Sequence, residues 1–182
     1  MKKVEEADSD FLLVPHDRIG AIIGKGGSTK REIERKTGTE LVVDSEEGEI
    51  EITRKGTPLK YLKARSIVRA IARGFSPEKA FRLLEDGVLF ELIELRELLG
   101  KNKSLMKAKK GRVIGAKGKA REQIETETGA SISVYGRTIA LIGKEDEIAG
   151  ARKAIQLLLK GASHSTAYDY LKRGLGSGKF EL

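Results

Sequence analysis

The sequence contains no cysteine and no tryptophan among its 182 residues. Because cysteine is absent, disulfides, thiolate metal sites, iron–sulfur clusters and cysteine nucleophiles are excluded. Only two histidines occur, His16 and His164, and their spacing suggests a carboxylate partner for neither. The acidic residues suggest no cluster of the kind that a metal-dependent nuclease uses. We therefore predict that the protein is not an enzyme and has no cofactor and no metal site.

Long apolar runs are also absent. Runs such as Val88–Leu95 are far too short to span a bilayer. The N-terminal residues turn acidic without the apolar segment of a signal peptide, so we expect a soluble, cytoplasmic protein. Aromatic residues make up only 5% of the chain. No strand has the aromatic cluster on which an RNA-recognition motif stacks bases.

Positive charge is what the sequence has in excess. The formal net charge is +8 and the pI is about 9.6. Hydrophobic residues make up 39%, which is enough to form a packed core and argues against disorder. A folded protein this basic usually meets an anionic partner, either a nucleic acid or a membrane surface.

An internal repeat organises the chain. When the sequence is shifted by 91 positions, Gly20–Gly27 aligns with Gly111–Gly118. The same shift aligns the pairs Ile33-Glu34 with Ile124-Glu125 and Thr37-Gly38 with Thr128-Gly129, and later segments align at a shift of 87, including Gly74 with Gly161. Chance similarity would not keep glycine, threonine and apolar positions in step for so long, so we infer a duplicated domain.

Each repeat predicts the same order of elements, β-α-α-β-β-α, followed by an extra short helix. The fold class is α+β, with a first domain over 1–84 and a second over 85–182 that ends in a basic tail. An acidic stretch, 85–97, connects them and is a candidate for protein contacts. After a short helix before each glycine cluster, the predicted elements are Phe11–Val14, Ser28–Lys36, Glu40–Val43, Ile50–Thr53, Pro58–Arg73 and Pro77–Leu84, then Leu89–Leu95, Lys119–Glu127, Ser131–Tyr135, Thr138–Ile142, Lys144–Lys160 and Ser165–Lys172.

Both repeats have a Gly-x-x-Gly sequence between two helices. Glycines let a loop turn tightly and bring backbone N–H groups close to phosphates, and the loop opens onto a helix N-terminus that favours anions. Lysines in and beside the loops add positive charge. The candidate RNA-binding residues are Gly24, Lys25, Gly26, Gly27, Lys30 and Arg31 in the first repeat, and Lys109, Lys110, Arg112, Gly115, Ala116, Lys117, Gly118, Lys119 and Arg121 in the second.

The second loop has the stronger electrostatic signal. Nine basic residues and no acidic residue lie between Lys101 and Arg121, whereas the first loop has fewer cations and Asp17 close by. We predict that the second domain contributes more RNA affinity. Bases are expected to face aliphatic residues beside each loop, for which the candidates are Ile19, Ile22, Val42, Val113, Ile124 and Ile132.

The paired motifs, in an (I/V)-I-G-x-x-G context with this element order, resemble the type I KH domain. Further stretches, Thr57–Arg65, Ser133–Thr138 and Gly161–Tyr168, are similar to the archaeal members of the Krr/Pno (Dim-type) family of small-subunit ribosome-assembly proteins. The resemblance implies single-stranded RNA as partner, at the 3′ region of small-subunit rRNA during pre-rRNA processing. It also implies two protein partners, the endonuclease that trims this 3′ end and an initiation-factor subunit.

Two other functions stay open on the sequence. One is a KH adaptor of an RNA-decay complex of the exosome type, which an S1-like barrel would favour, but the sequence predicts none. The other is a nucleotide-dependent or nucleolytic enzyme. The segment Gly174–Phe180 is similar to a phosphate-binding loop, but its spacing is short and no Ser or Thr follows Lys179. We interpret it as part of a flexible basic tail.

Overall fold

The computed structural model describes residues 9–177. The chain divides between Leu84 and Glu85 into two compact units. Each unit has one three-stranded antiparallel sheet with helices packed on it. No helix within the described residues is both long enough and apolar enough to cross a membrane.

The first unit follows the predicted order of elements. Its central strand is β3, because the sheet order is β1-β3-β2 and both pairs are antiparallel. The trailing helix is short and continues as a 3-10 turn, Phe81–Leu84. The elements are β1 (Ser9–Leu13), α1 (His16–Ile23), α2 (Ser28–Thr37), β2 (Thr39–Asp44), β3 (Glu49–Arg54), α3 (Pro58–Ala72) and α4 (Pro77–Ala80).

The second unit repeats this order, with sheet order β4-β6-β5. Its elements are β4 (Leu89–Glu94), α5 (Leu95–Leu99), α6 (Lys103–Ile114), α7 (Lys119–Thr128), β5 (Ser131–Tyr135), β6 (Thr138–Gly143), α8 (Glu145–Lys160) and α9 (His164–Ser177). The α+β class and the β-α-α-β-β-α order are thus confirmed in both halves.

Three details differ from the sequence-based expectation. Helix α5 was not predicted, and α6 has 12 residues where α1 has eight. Helix α9 runs through Ser177, so the prediction that the flexible tail begins at Gly174 is wrong for 174–177. The rest of that tail, including Lys179, lies outside the described residues.

The core of each unit lies between the sheet and the helices. In β3 alternate residues, Ile50 and Ile52, are fully buried, as the two-residue period of a strand requires, whereas β6 is buried along its whole length. In the second unit α9 covers one side of this core with Leu171. The partly buried Tyr168 and Tyr170 pack against it, and burial raises the pKa of the Tyr168 hydroxyl.

The repeated glutamate ties the edge strand of each sheet to the helix above it. Oε1 of Glu34, on α2, accepts the backbone N–H of Leu41 at 2.8 Å. In the second unit, Oε1 of Glu125 accepts the N–H of Ile132 at 2.7 Å. Both strands are at a sheet edge, where such N–H groups have no neighbouring strand to bind.

The repeated Thr-Gly pair ends the helix that carries this glutamate. The hydroxyl of Thr37 donates to the Ile33 carbonyl at 2.6 Å, and that of Thr128 donates to the Ile124 carbonyl at 2.7 Å. The glycine that follows adopts φ +60 at Gly38 and φ +80 at Gly129. A left-handed residue at this position is the usual end of an α-helix.

An arginine caps the closing helix in each unit. The Arg18 guanidinium donates to the carbonyls of Ile71 (2.8 Å) and Phe75 (2.7 Å). In the second unit, Arg112 donates in the same way to the carbonyls of Leu158 (3.3 Å) and Ala162. These contacts add donors to carbonyl groups at and just beyond the C-terminal end of α3 and α8, where helical partners run out. The Ile71 and Leu158 carbonyls also accept the N–H groups of Gly74 and Gly161.

We expect the Glu34→Ala substitution to lower the free energy of unfolding by about 1–3 kcal/mol, because it leaves the Leu41 N–H without an acceptor. Urea unfolding followed by circular dichroism measures this. The matched control is Glu32→Ala on the same helix, which breaks a surface pair with Lys36 and should cost no more than about 0.5 kcal/mol. Equal losses in the two variants would contradict a specific role for the edge-strand contact.

Candidate nucleic-acid interface

The two Gly-x-x-Gly loops have the same backbone conformation. Gly24 and Gly115 have φ/ψ of 73/173 and 73/175. Gly26 and its counterpart Lys117 have φ/ψ of 57/25 and 53/28. Lys117 is therefore a non-glycine residue in the left-handed region, the only one among the described residues. The third position of the motif therefore keeps its left-handed backbone even where lysine replaces glycine.

The first glycine of each loop is required by space as well as by its dihedral angles. A Cβ on Gly24 would stand 2.7 Å from the backbone nitrogen of Thr29. A Cβ on Gly115 would stand 2.7 Å from the backbone nitrogen of Ala120 and 2.6 Å from its Cβ. Any side chain here would push the following helix away from the loop.

The helix that follows each loop begins without a side-chain cap. Elsewhere, Thr57 caps α3 and Asn102 caps α6 by accepting a first-turn N–H group. Helices α2 and α7 have glycines at the N-cap position, Gly27 and Gly118, and neither N-terminus donates to a capping side chain. An uncapped helix N-terminus carries partial positive charge and unpaired donors, which together favour an anion.

Each loop adds further free donors. The backbone N–H groups of Lys25 and Gly26 make no hydrogen bond to any described residue, and neither do those of Ala116 and Lys117. All four residues are exposed. Each unit therefore presents a concave group of backbone donors of the kind that binds phosphate oxygens.

The charged side chains beside the two loops differ. At the first loop, the Arg31 guanidinium lies over Gly27, where Nη1 is 2.9 Å from the position that a Cβ would take. At the second loop the equivalent position is Glu122, whose Oε1 lies 3.8 Å from the Cβ position of Gly118, and Nη2 of Arg121 lies 3.7 Å from the same position. Sequence reasoning missed Glu122, because the acid-free stretch ends at Arg121, one residue earlier. Lys119 is exposed beside this second loop.

Other predicted site residues are engaged elsewhere. Nζ of Lys30 pairs with Glu34 at 2.9 Å. Nζ of Lys110 donates to the Gly136 carbonyl at 2.7 Å. Lys109 lies beside Gly161, and Arg112 caps α8 as described above. The Arg112 guanidinium thus donates to these carbonyls and is not directed at the loop.

The prediction of which aliphatic residues face the bases is wrong. Ile19, Ile22, Val113, Ile124 and Ile132 are 5% exposed or less and belong to the cores. Val42 is exposed but lies on the opposite face of its strand from the buried Leu41, away from the helices.

Two apolar pairs at equivalent repeat positions are instead partly exposed. Ile23 and Ile114 immediately precede the first glycine of each motif. Val43 and Val134 lie on the edge strands, opposite the core residues Ile50 and Ile139, so they face the helix layer. The repeat alignment already pairs these residues, and only their exposure needed the structure.

Among residues 9–177, no three histidine, cysteine or carboxylate side chains come together as a metal site. His164 begins α9, and its Nε2 lies 2.8 Å from the Arg112 carbonyl oxygen.

Comparison with known proteins identifies both halves. Residues 9–70 match the KH domain model, and residues 89–174 match the model of the eukaryotic type KH domain, type I. The KH domain-containing protein MJ0443 of Methanocaldococcus jannaschii is 41% identical over 98% of this chain and 80% of its own length.

Solved structures agree with this match. Dim2p from Pyrococcus horikoshii has a TM-score of 0.85 at 46% identity, covering 91% of this chain and 99% of its own. A chain in the a/eIF2alpha–aDim2p–rRNA complex from the same organism has a TM-score of 0.89 at 44% identity, covering 96% and 97%. A protein of unknown function from Aeropyrum pernix, APE0754, has a TM-score of 0.89 at 37% identity, covering 94% and 92%.

We expect Lys117→Gly to raise the free energy of unfolding by about 0.5–1 kcal/mol. Glycine removes the strain of a lysine in the left-handed conformation, and this gain is partly offset because glycine gives the unfolded chain more conformational entropy. Urea unfolding measures the change. The reciprocal variant Gly26→Lys should lose a similar amount, since a Cβ there meets nothing within 4 Å and only the backbone conformation is tested. Lys117→Ala, which removes the charge and keeps the strain, is the control and should leave stability nearly unchanged.

Proposed function

Since the chain belongs to the family of archaeal proteins with two KH domains of type I, we propose that it binds single-stranded RNA at the 3′ region of small-subunit rRNA during ribosome assembly and pre-rRNA processing. In this role the protein is a binding factor without catalysis. The RNA backbone lies against the Gly24–Gly27 and Gly115–Gly118 loops.

The observation that carries the proposal is the pair of uncapped helix N-termini at these loops. Each one continues from two exposed loop N–H groups that have no partner among the described residues. Phosphate oxygens satisfy such donors without reading base identity. The lysines that complete the phosphate-facing set are Lys25 in the first unit and Lys117 and Lys119 in the second, with Arg31 over the first loop; Arg112 is excluded because it caps α8.

Bases then face the partly exposed aliphatic residues Ile23 and Val43 in the first unit, and Ile114 and Val134 in the second. Apolar contact beside a backbone clamp is how a KH domain holds about four nucleotides. This replaces the buried residues that the sequence suggested.

The choice of rRNA rests on relatives. The Pyrococcus horikoshii Dim2p has been crystallised in a complex with rRNA and the initiation factor a/eIF2alpha. We propose the same two classes of partner for this chain. The endonuclease that trims the 3′ end is a further partner that we propose from the family resemblance alone.

Replacing both central residues of the second loop with aspartate, in the double variant Ala116→Asp and Lys117→Asp, should weaken binding of a single-stranded RNA oligonucleotide at least tenfold, or about 1.4 kcal/mol. The carboxylates repel the phosphates, and aspartate tolerates the left-handed conformation, so the fold is preserved. Fluorescence anisotropy gives the affinity. The equivalent first-loop variant, Lys25→Asp with Gly26→Asp, should lose less.

The control carries the same change of charge on exposed residues of α8, as Lys153→Asp with Gln156→Asp. It should bind nearly as well as the unmodified protein. If the two loop variants keep full affinity while circular dichroism shows them folded, the proposed RNA site is wrong.

In cells, crosslinking followed by sequencing of the bound RNA should recover fragments clustered near the 3′ end of small-subunit rRNA, because the assembly role places the protein there. Fragments spread over messenger or transfer RNA would contradict the assembly role and favour an adaptor in RNA decay. Cells that express only the second-loop aspartate variant should lose the cluster.

A further inference from the structure

The second unit has an insertion that the first unit lacks. In the first, β1 ends at Leu13 and α1 begins at His16. In the second, β4 ends at Glu94, and α5 and an additional first turn of α6 follow before Lys107, the counterpart of His16. The insertion therefore adds a small structural layer at the end of α6 that is farthest from the Gly115–Gly118 loop.

This insertion and the β5–β6 turn enclose a pocket of about 370 Å³. The turn contributes the Gly136 backbone, and the buried Met106 lies at the inner wall. None of the described residues that line the pocket is acidic. Its charged residues are all cations: Arg96, Lys101, Lys103, Lys107, Lys110 and Arg137. We call this group the basic pocket.

Within residues 9–177, the cations of the basic pocket form no ion pair. Among the described residues, the side chains of five of its six cations, all except Lys110, have no ion-pair or hydrogen-bond partner. Lys110 donates to the Gly136 carbonyl, which is neutral. Like charges held this close repel one another, so an anion that enters the pocket gains attraction from all of them.

The corresponding place in the first unit has the opposite charge. The β2–β3 turn there contains Glu46 and Glu47, and their backbone N–H groups both donate to the Asp44 carboxylate. His16, at the start of α1, reaches the Glu46 carbonyl at 2.9 Å. The duplication therefore gives an internal comparison, in which the place beside the strand turn is basic in the second unit and acidic in the first.

The position of the pocket points to RNA rather than to an acidic protein. Lys103, Lys107 and Lys110 recur at i, i+4 and i+7, so they form a stripe along one face of α6. The helix ends at Ile114, directly before the loop, about 16 Å from Lys103 at 1.5 Å per residue. An RNA strand that is bound at the loop therefore has its neighbouring phosphates within reach of this stripe.

We propose that the basic pocket is a second RNA-phosphate site, which holds the strand beyond the nucleotides clamped by the Gly115–Gly118 loop. This rests on the proposed RNA-binding function and extends it. The second unit then binds a longer segment than one KH loop alone, and the first unit lacks this extension because its turn is acidic.

The test compares a tetranucleotide with a decanucleotide, using the full chain. The pocket variant Lys101→Glu with Arg137→Glu changes two exposed residues. We expect it to leave tetranucleotide affinity within twofold and to weaken the decanucleotide roughly tenfold. The slope of log affinity against log salt should also fall by about 0.7 for each phosphate that the variant no longer binds. The control, Lys144→Glu with Lys153→Glu, makes the same charge change on the α8 side and should affect neither oligonucleotide by more than twofold.

Three results overturn the inference. If the pocket and control variants lose equal affinity, the effect is a general change of electrostatic field. If the pocket variant loses equal affinity for both oligonucleotides, the pocket belongs to the loop site. Unchanged decanucleotide affinity, together with loss of binding to a decaglutamate peptide, assigns the pocket to an acidic protein instead. The loop aspartate variants keep the two proposals separate, since they weaken both oligonucleotides if the proposed function holds, whatever the pocket variant does.

Discussion

The structure depends on two places where no side chain fits. At Gly24 and Gly115 the chain turns with positive φ while the first turn of the next helix comes within contact distance. This approach brings the helix N-terminus and the loop N–H groups together on one surface. A larger residue would separate them and remove the anion site, even with the surrounding lysines unchanged. The cations strengthen the site, and the missing Cβ atoms create it.

The other repeated residues hold this corner in place. Glu34 and Glu125 fasten the helix that follows the loop to the edge strand beside it, and the Thr-Gly pairs end the same helix at a defined point. These repeated residues outside the loops are therefore structural. What differs between the units is the surface around the corner, with an arginine alone over the first loop, an arginine and a glutamate beside the second, and an insertion only in the second half.

Much of this was predictable from the sequence, for physical reasons. Strand and helix periods, together with glycine at helix ends, predicted the element order and the position of both loops. The direction of long side chains could not be predicted, because composition does not show that Arg112 reaches carbonyls on α8 while Lys117 stays exposed. The base-facing residues were misassigned for a related reason. Apolar residues next to a motif are usually core, and only exposure separates Ile114 from Val113. Helix α5 was missed because its leucines continue the apolar pattern of β4.

The two arginine caps show that equivalent carbonyl groups can be capped by arginines from different positions in the two units. Ile71 and Phe75 align with Leu158 and Ala162, yet the arginines that reach them do not align, since Arg18 matches Lys109 and Arg112 matches Ala21. The two positions lie one helical turn apart, and the second unit has a basic residue at both. Ancestral chains that held both cations at once would have allowed the capping role to migrate along the helix without ever exposing the carbonyls, so duplicated halves can diverge in sequence while each retains the same restraint.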